Sequence, residues 1–258
     1  MNLRTHLAHR SPILAEGSIY ELLRRDPRVE FDPHIAHAGL IYGHDTRRLL
    51  ADIHLAYADI AARHSLPLLA LTDTWRASED RVATSRFKRR SVNADNVAFL
   101  RELLSGREAF IAGLTGPAGD GYQPGEAPAY PRAIGYHAAQ VHELAEAGAD
   151  LLYASTLPNT VEAQAIGSLM AETGIPWTLS FVVRSDGTVL DGVPLADAIR
   201  RIDDAMSAPP VGYAINCVHS STAAAALAVL PAALAPRIIA FQGNASRLSP
   251  EELDGRAE

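Results

Sequence analysis

The sequence predicts an α/β chain built as a (β/α)8 TIM barrel, with the eighth βα unit missing. Three observations carry that expectation. Seven short apolar runs recur along the chain, separated by amphipathic stretches with helical spacing. The runs are apolar almost throughout rather than alternating, as strands buried on both faces of a parallel sheet must be. Seven such units in about 230 residues match the repeat length of a barrel.

The expected strands are Ile13–Gly17, Pro67–Thr72, Phe110–Thr115, Asp150–Ser155, Trp177–Val183, Gly212–Val218 and Arg237–Gln242. The first expected helix, Asp45–His64, places Leu49, Leu50, Ile53, Tyr57 and Ile60 three and four apart. Asn93–Leu104 opens on cap residues and carries Val97, Leu100, Leu103 and Leu104. Pro131–Ala147 carries Ile134, His137, Val141 and Leu144 and stops at Gly148. Thr160–Glu172 stops at Gly174, and Leu195–Met206 and Ser221–Leu234 follow. Cap residues before these stretches and glycines after them are start and stop signals. Strand–helix alternation fits an open doubly wound sheet as well as a barrel, but no G-x-G-x-x-G follows the first strand. Ser249-Pro250-Glu251-Glu252-Leu253 reads as the start of one more helix, so residues 1–258 are expected to form a single barrel domain, incomplete at its C-terminus.

Composition bounds the function. The 258 residues are 48% apolar and 21% charged, which excludes disorder for the bulk of the chain. Lys+Arg 23 against Asp+Glu 30 gives a net charge of −7, a poor match for nucleic acid or an anionic membrane surface. Lys88 is the single lysine, so Schiff-base chemistry has one position to use. Cys217 is the single cysteine, which excludes an intramolecular disulfide and a four-thiolate zinc site. With no signal-like or membrane-length apolar stretch, a cytoplasmic location is expected.

In a barrel the strand C-termini make the site. Here they carry Glu16 and Gly17, Thr72, Thr74 and Trp75, Thr115, Ser155 and Thr156, Asn216, Cys217 and His219, and Gln242. No Ser/His/Asp order suggests a triad. A lone cysteine is more often a small buried apolar side chain than a ligand, but Cys217 stands at a strand end between Asn216 and His219. The spacing of His34 and His37 is weak evidence for a metal, and His137 reads as part of a solvated helix face. Arg86, Lys88, Arg89 and Arg90 read first as an exposed loop and second as a clamp for an anionic group. The long Gly116–Pro131 loop is a candidate lid.

Several segments, in order, resemble the homocysteine S-methyltransferase family, of the betaine–homocysteine methyltransferase type. Thr72-Asp-Thr-Trp-Arg-Ala-Ser78 looks like its stretch after the second strand, and Gly113-Leu-Thr-Gly-Pro-Ala-Gly-Asp-Gly-Tyr122 like the one after the third. Gln140–Ala163, Ser180-Phe181 with Asp191-Gly192, and Val211–Val218 are similar to the fourth, fifth and sixth units. The resemblance covers about residues 13–254. It implies a barrel whose zinc is held by three thiolates, of which Cys217 is the first, and methyl transfer to homocysteine or a similar thiol, with methionine as product. The metal would hold the acceptor as thiolate. S-methylmethionine, S-adenosylmethionine, betaine or a methyl-folate would be the donor. Glu16, Gly17, Thr72, Ser155 and Asn216 are expected to orient the acceptor, and Thr74, Trp75 and Arg76 to face the donor.

The departures shape the expectation. The family's paired cysteines on the eighth strand have no counterpart here, so two of the three zinc thiolates are absent. The glutamate that follows the family's fourth strand is Ser155, and the family's first-strand Asp-Gly is Ala15-Glu16, where Glu16 is expected to restore the missing charge. The alternative expectation is a metal-free barrel that binds an amino acid or methyl donor without transferring the group. Expected partners are a small-molecule thiol acceptor and a methyl donor, with room for a homo-oligomer, because seven strands leave open edges.

Overall fold

The structure, a computed structural model, describes residues 3–9, 11–250 and 252. After a short N-terminal helix α1 (Leu3–Ala8) and strand β1 (Leu14–Ala15) come α2 (Ile19–Leu23), α3 (His44–Arg63), β2 (Leu68–Leu71), α4 (Glu79–Thr84), α5 (Val92–Leu103) and β3 (Ala109–Thr115). There follow α6 (Tyr130–Glu146), β4 (Leu151–Leu157), α7 (Thr160–Glu172), β5 (Trp177–Phe181), α8 (Leu195–Ala205), β6 (Gly212–His219), α9 (Ser220–Val229) and β7 (Ile238–Asn244). All seven expected strands are present. The sheet order is β1-β2-β3-β4-β5-β6-β7, with no reversal. A doubly wound sheet must reverse its order at a switch point. Right-handed crossovers in an unreversed order put every helix on the same face, which is the winding of a (β/α) barrel.

The chain divides into two compact units, Met1–Thr115 with Ala139–Leu152, and Gly116–Ala138 with Tyr153–Glu258. In the first, β1 pairs with β2 and β2 with β3, all parallel, with Leu14 opposite Leu68 and Leu69 opposite Phe110. Its core includes Leu50, Leu68, Leu100, Ile111 and Leu144. In the second, β5 pairs with β6 and β6 with β7, again parallel, over a core with Leu157, Ile166, Phe181 and Tyr213. Each such side chain contributes roughly 1.5–3 kcal/mol by leaving water.

Local chemistry explains the boundaries. The Asn159 side chain accepts the Val161 and Glu162 N–H groups and so caps α7. The chain turns left-handed at Gly174 just beyond it. Along α8, Leu195, Ala198, Ile199 and Ile202 are the buried residues, one stripe at helical spacing. In α3 the buried residues are Leu50, His54, Ala58 and Ala61. That face is offset from the expected one and carries a histidine. The last expected helix is shorter than predicted: α9 ends at Val229, and Leu230-Pro231 turns the chain out of it. The short helices α1, α2 and α4 were not anticipated, since five or six residues leave too little periodicity to read.

Two expectations need correction at the sheet ends. Strand β1 is only two residues long. Strand β7 is not buried on both faces: its exposure alternates, and Ile239 and Phe241 stand out in solvent. The helix expected from Ser249 begins with a capping box, in which the Ser249 N–H meets Glu252 Oε2 at 2.8 Å and the Glu252 N–H meets Ser249 Oγ at 3.3 Å. Leu253 lies outside the described residues. No helix among the described residues is long and apolar enough to cross a membrane.

Candidate active site

In the first unit the ends of β1 and β2 meet the buried face of α3. Glu16 is 1% exposed. Its Oε1 lies 2.7 Å from His54 Nδ1, and its Oε2 accepts the Leu71 N–H at 2.8 Å. Because β1 stops at Ala15, the Glu16 carboxylate takes the place of a strand carbonyl and extends the pairing with β2. His54 Nε2 lies 3.3 Å from Asp73 Oδ2, and Asp73 Oδ1 lies 3.3 Å from His37 Nε2. The chain Glu16–His54–Asp73–His37 is buried throughout. Burial pulls the His54 pKa down, but the attraction of Glu16 and the hydrogen bond to Asp73 outweigh it and raise the pKa to about 10. The two acidic neighbours thus favour the protonated form of His54. Burial pushes the Asp73 pKa up, yet the bonds to His37 and His54 hold it well below the usual carboxylate range. Burial pushes Glu16 up.

Thr72 and Thr74 form a latch between β2 and β3. Thr72 Oγ1 accepts the Leu114 N–H at 2.8 Å, and Thr74 Oγ1 donates to the Leu114 carbonyl at 2.6 Å. The two hydroxyls are 2.7 Å apart, so the Thr72 proton goes to Thr74. Gln140 Nε2 donates to the Thr74 carbonyl at 2.7 Å, and its Oε1 accepts from Thr115 at 2.9 Å. Trp75 is half-buried, with the Arg76 guanidinium 4.3 Å above its ring and Tyr20 at 6.2 Å. Gly17 lets the Tyr57 hydroxyl approach, since a Cβ there would lie 2.7 Å from Tyr57 Oη.

In the second unit the ends of β4, β5 and β6 converge on Asn216. Its Oδ1 accepts the Thr156 N–H at 3.1 Å and the Ser180 hydroxyl at 2.6 Å. Its Nδ2 donates to Thr156 Oγ1 at 2.8 Å and to Cys217 Sγ at 3.1 Å. Thr156 and Cys217 both have left-handed backbones, with φ of 61° and 60°. A β-branched residue there is a genuine outlier, and such strain costs about 1–3 kcal/mol and clusters at functional sites. The β6–β7 pairing also shifts register between Asn216 and His219, so Cys217 sits in a bulge that turns its half-buried sulfur out of the strand alternation. Ser155 Oγ lies 3.4 Å from Thr156 Oγ1. Tyr153 donates to Gln242 Oε1 at 2.9 Å, and burial pushes its pKa up.

The Gly116–Pro131 loop packs on this group. A Cβ on Gly121 would lie 2.7 Å from Thr156 Cγ2. The loop is anchored by the Ala118 N–H on Glu162 Oε1 at 2.7 Å, and the same oxygen lies 2.9 Å from His137 Nε2. His137 is therefore a buried partner of Glu162, not part of a solvated helix face.

The structure thus groups Glu16, Thr72 and Thr74 at one set of strand ends and Ser155, Asn216 and Cys217 at another. It does not supply the histidines considered as metal partners. His219 Nδ1 caps α9, accepting the Ser221 N–H at 3.1 Å, and His37 is bonded to Asp73. Among the described residues no group of three or more His, Cys, Asp and Glu could hold a metal ion. The described residues by themselves therefore do not make up a zinc site around Cys217. Sequence reasoning placed Thr156 at a strand end without its strain, and missed His54 and Asp73. A histidine at the Leu50 + 4 position of an apolar helix face was a readable signal for His54; nothing in the sequence marks a strained threonine.

The family model described as homocysteine S-methyltransferase matches residues 13–258. A homocysteine S-methyltransferase of Escherichia coli (strain K12) is 36% identical over 96 residues, which is 36% of this chain. The matched stretch spans only 29% of that relative's length. The crystal structure of the homocysteine methyltransferase MmuM from Escherichia coli in its oxidized form is similar, with a TM-score of 0.74, 22% identity and coverage of 97% of both chains. Its metallated form has a TM-score of 0.72 at 21% identity and covers 96% of both.

Proposed function

Because the chain belongs to the homocysteine S-methyltransferase family, we propose that it transfers a methyl group to the thiol of homocysteine or of a similar small acceptor. The family match over residues 13–258 is the observation that carries this reading. In the reaction the acceptor sulfur attacks the methyl carbon of a sulfonium or ammonium donor. A new S–C bond forms, the donor bond breaks with its electron pair left on the donor atom, and the thiol proton goes to solvent. Such a displacement asks the protein to orient two groups rather than to supply an acid or base.

In this reading Asn216 sets the geometry, since it fixes the Thr156, Ser180 and Cys217 positions together. Ser155 and Asn216 orient the acceptor, and Gly121 brings the loop over Thr156 to exclude water. Glu16 and Thr72 serve through the groups they hold rather than by direct contact, since Glu16 binds His54 and Leu71 and Thr72 binds Leu114. Within the first unit, the Arg76 guanidinium over the Trp75 ring is a cationic and aromatic pair, and Thr74 fixes the end of β2 against Leu114. Cys217 is the candidate zinc ligand, but the described residues do not complete its site.

Methionine production from homocysteine tests the proposal, with S-methylmethionine, S-adenosylmethionine and betaine supplied one at a time and the product read by mass spectrometry. Turnover with at least one donor is expected. Homocysteine binding without turnover from any donor favours the binding-module reading instead. Metal content is a separate expectation. After loading with one equivalent of zinc and desalting, the 258-residue chain should retain well under one zinc per chain, with no further loss in Cys217→Ala. Stoichiometric zinc that disappears in the variant would show that the chain does complete a zinc site around Cys217.

A further inference from the structure

The basic run 86–90 is a built feature of the first unit. Phe87 anchors it, packing against a buried cluster of Ile35, Ala38, Ala77 and Val92. The fit requires Gly39, because a Cβ there would lie 2.1 Å from Phe87 Cε2. The backbone is pinned on both sides of that anchor. The Phe87 N–H donates to Ser85 Oγ at 3.0 Å, the Arg86 N–H to Asp32 Oδ2 at 3.3 Å, and the Arg90 N–H to the Phe87 carbonyl at 2.8 Å. With Phe87 turned inward, Arg86, Lys88, Arg89 and Arg90 all point to solvent. Together with Tyr42 and Phe87 these four line a cleft of about 460 Å³, within the size range of small-ligand sites.

The charge in this cleft is poorly neutralised. Lys88 and Arg89 make no ion pair among the described residues. Arg86 Nε is 3.7 Å from Asp32, whose two oxygens already accept the His34, Ile35 and Arg86 N–H groups. Arg90 lies over the Tyr42 ring at 5.1 Å, and the Tyr42 hydroxyl is fixed on Asp95 at 2.6 Å. Arg86 lies over the Phe87 ring at 5.1 Å. Two guanidinium groups are thus held on aromatic faces, and although the Nε side of Arg86 faces Asp32, their terminal N–H groups can form bidentate pairs with an oxyanion. An ordinary solvated surface mixes its charges. Four cations in five residues on a chain of net charge −7 do not.

We propose that this cleft binds a small ligand bearing at least two oxyanion charges, either phosphate or clustered carboxylate. Its size and the net charge of the chain point away from a nucleic acid strand. The inference rests on the cleft alone and stands or falls independently of methyl transfer.

Isothermal titration of the full chain at low salt tests it, with pyrophosphate in one arm, tricarballylate in a second and sulfate at matched ionic strength as the control. Saturable binding to pyrophosphate or tricarballylate is expected, weakened at least tenfold in Lys88→Ser/Arg89→Ser. Both replaced side chains are exposed, and an unchanged circular dichroism spectrum and melting temperature would verify the fold. Preference for pyrophosphate identifies a phosphate ligand, and preference for tricarballylate a polycarboxylate. No saturable binding in either arm, binding no tighter than sulfate, or an affinity unchanged in the double variant overturns the proposal.

Discussion

Asn216 makes four hydrogen bonds with one side chain and holds two strained residues in place. Removing it would leave buried donors and acceptors unmade, at about 1–3 kcal/mol for each. His54 does comparable work with charge. Its folded pKa of about 10 stands above the ordinary 6.5. The stability it contributes is therefore whole below pH 6.5 and is lost as the pH rises through about 10. Asp73 has the opposite sign. Its pKa is depressed, so its contribution is present above 3.8 and is lost as the pH falls below that. The urea midpoint of the protein is expected to be highest between these limits and to fall steadily from pH 6.5 to 10. His54→Gln should be less stable at pH 6 and should lose most of that alkaline slope. A wild-type midpoint that stays flat to pH 10 would show that His54 is neutral in the folded state.

At the scale of elements, the polar residues sit where strands stop. A two-residue β1 needs the Glu16 carboxylate to continue its pairing, and β6 needs a bulge to present Cys217. The Gly116–Pro131 loop depends on Gly121, because any Cβ would press on Thr156 Cγ2 and the Thr156 carbonyl. Gly121→Ala is expected to lift the loop while leaving the core intact. Limited proteolysis should then cleave within residues 116–131 several-fold faster than in the parent, with little change in melting temperature. Equal cleavage rates would mean that the loop tolerates the methyl group by a local shift, and that its contact with Thr156 is not what closes it.

For the whole molecule, the consequence of the strand order lies at its ends. Among the described residues strand β7 has a single neighbour in the sheet and exposes Ile239 and Phe241, while Leu227 and Val229 on α9 are exposed as well. An uncovered edge strand with apolar side chains is a template for pairing with another chain. Concentration-dependent self-association is expected, read by sedimentation velocity, and Phe241→Lys should shift it toward the monomer. A wild-type chain that stays monomeric at high concentration would mean that this edge is not sticky enough to matter.

The seven strands and most of the long helices were legible in the amino-acid order, because continuous apolar runs and 3.6-residue spacing are local properties and the parallel class follows from them. Cys217, Asn216, Ser155 and Glu16 could be singled out for the same reason, since each is a polar residue at the end of an apolar run. Their partners could not. That Glu16 meets His54 across 38 residues, or that Asn216 holds Thr156 across 60, depends on which strand ends the winding brings side by side. The left-handed backbone at Thr156 and Cys217 is likewise decided by those contacts, against local preference, because only packing and hydrogen bonds from distant segments can offset the strain. The exposure of one face of β7 is decided the same way: Ile239 and Phe241 read as core residues by composition, and only the arrangement of neighbours leaves them uncovered.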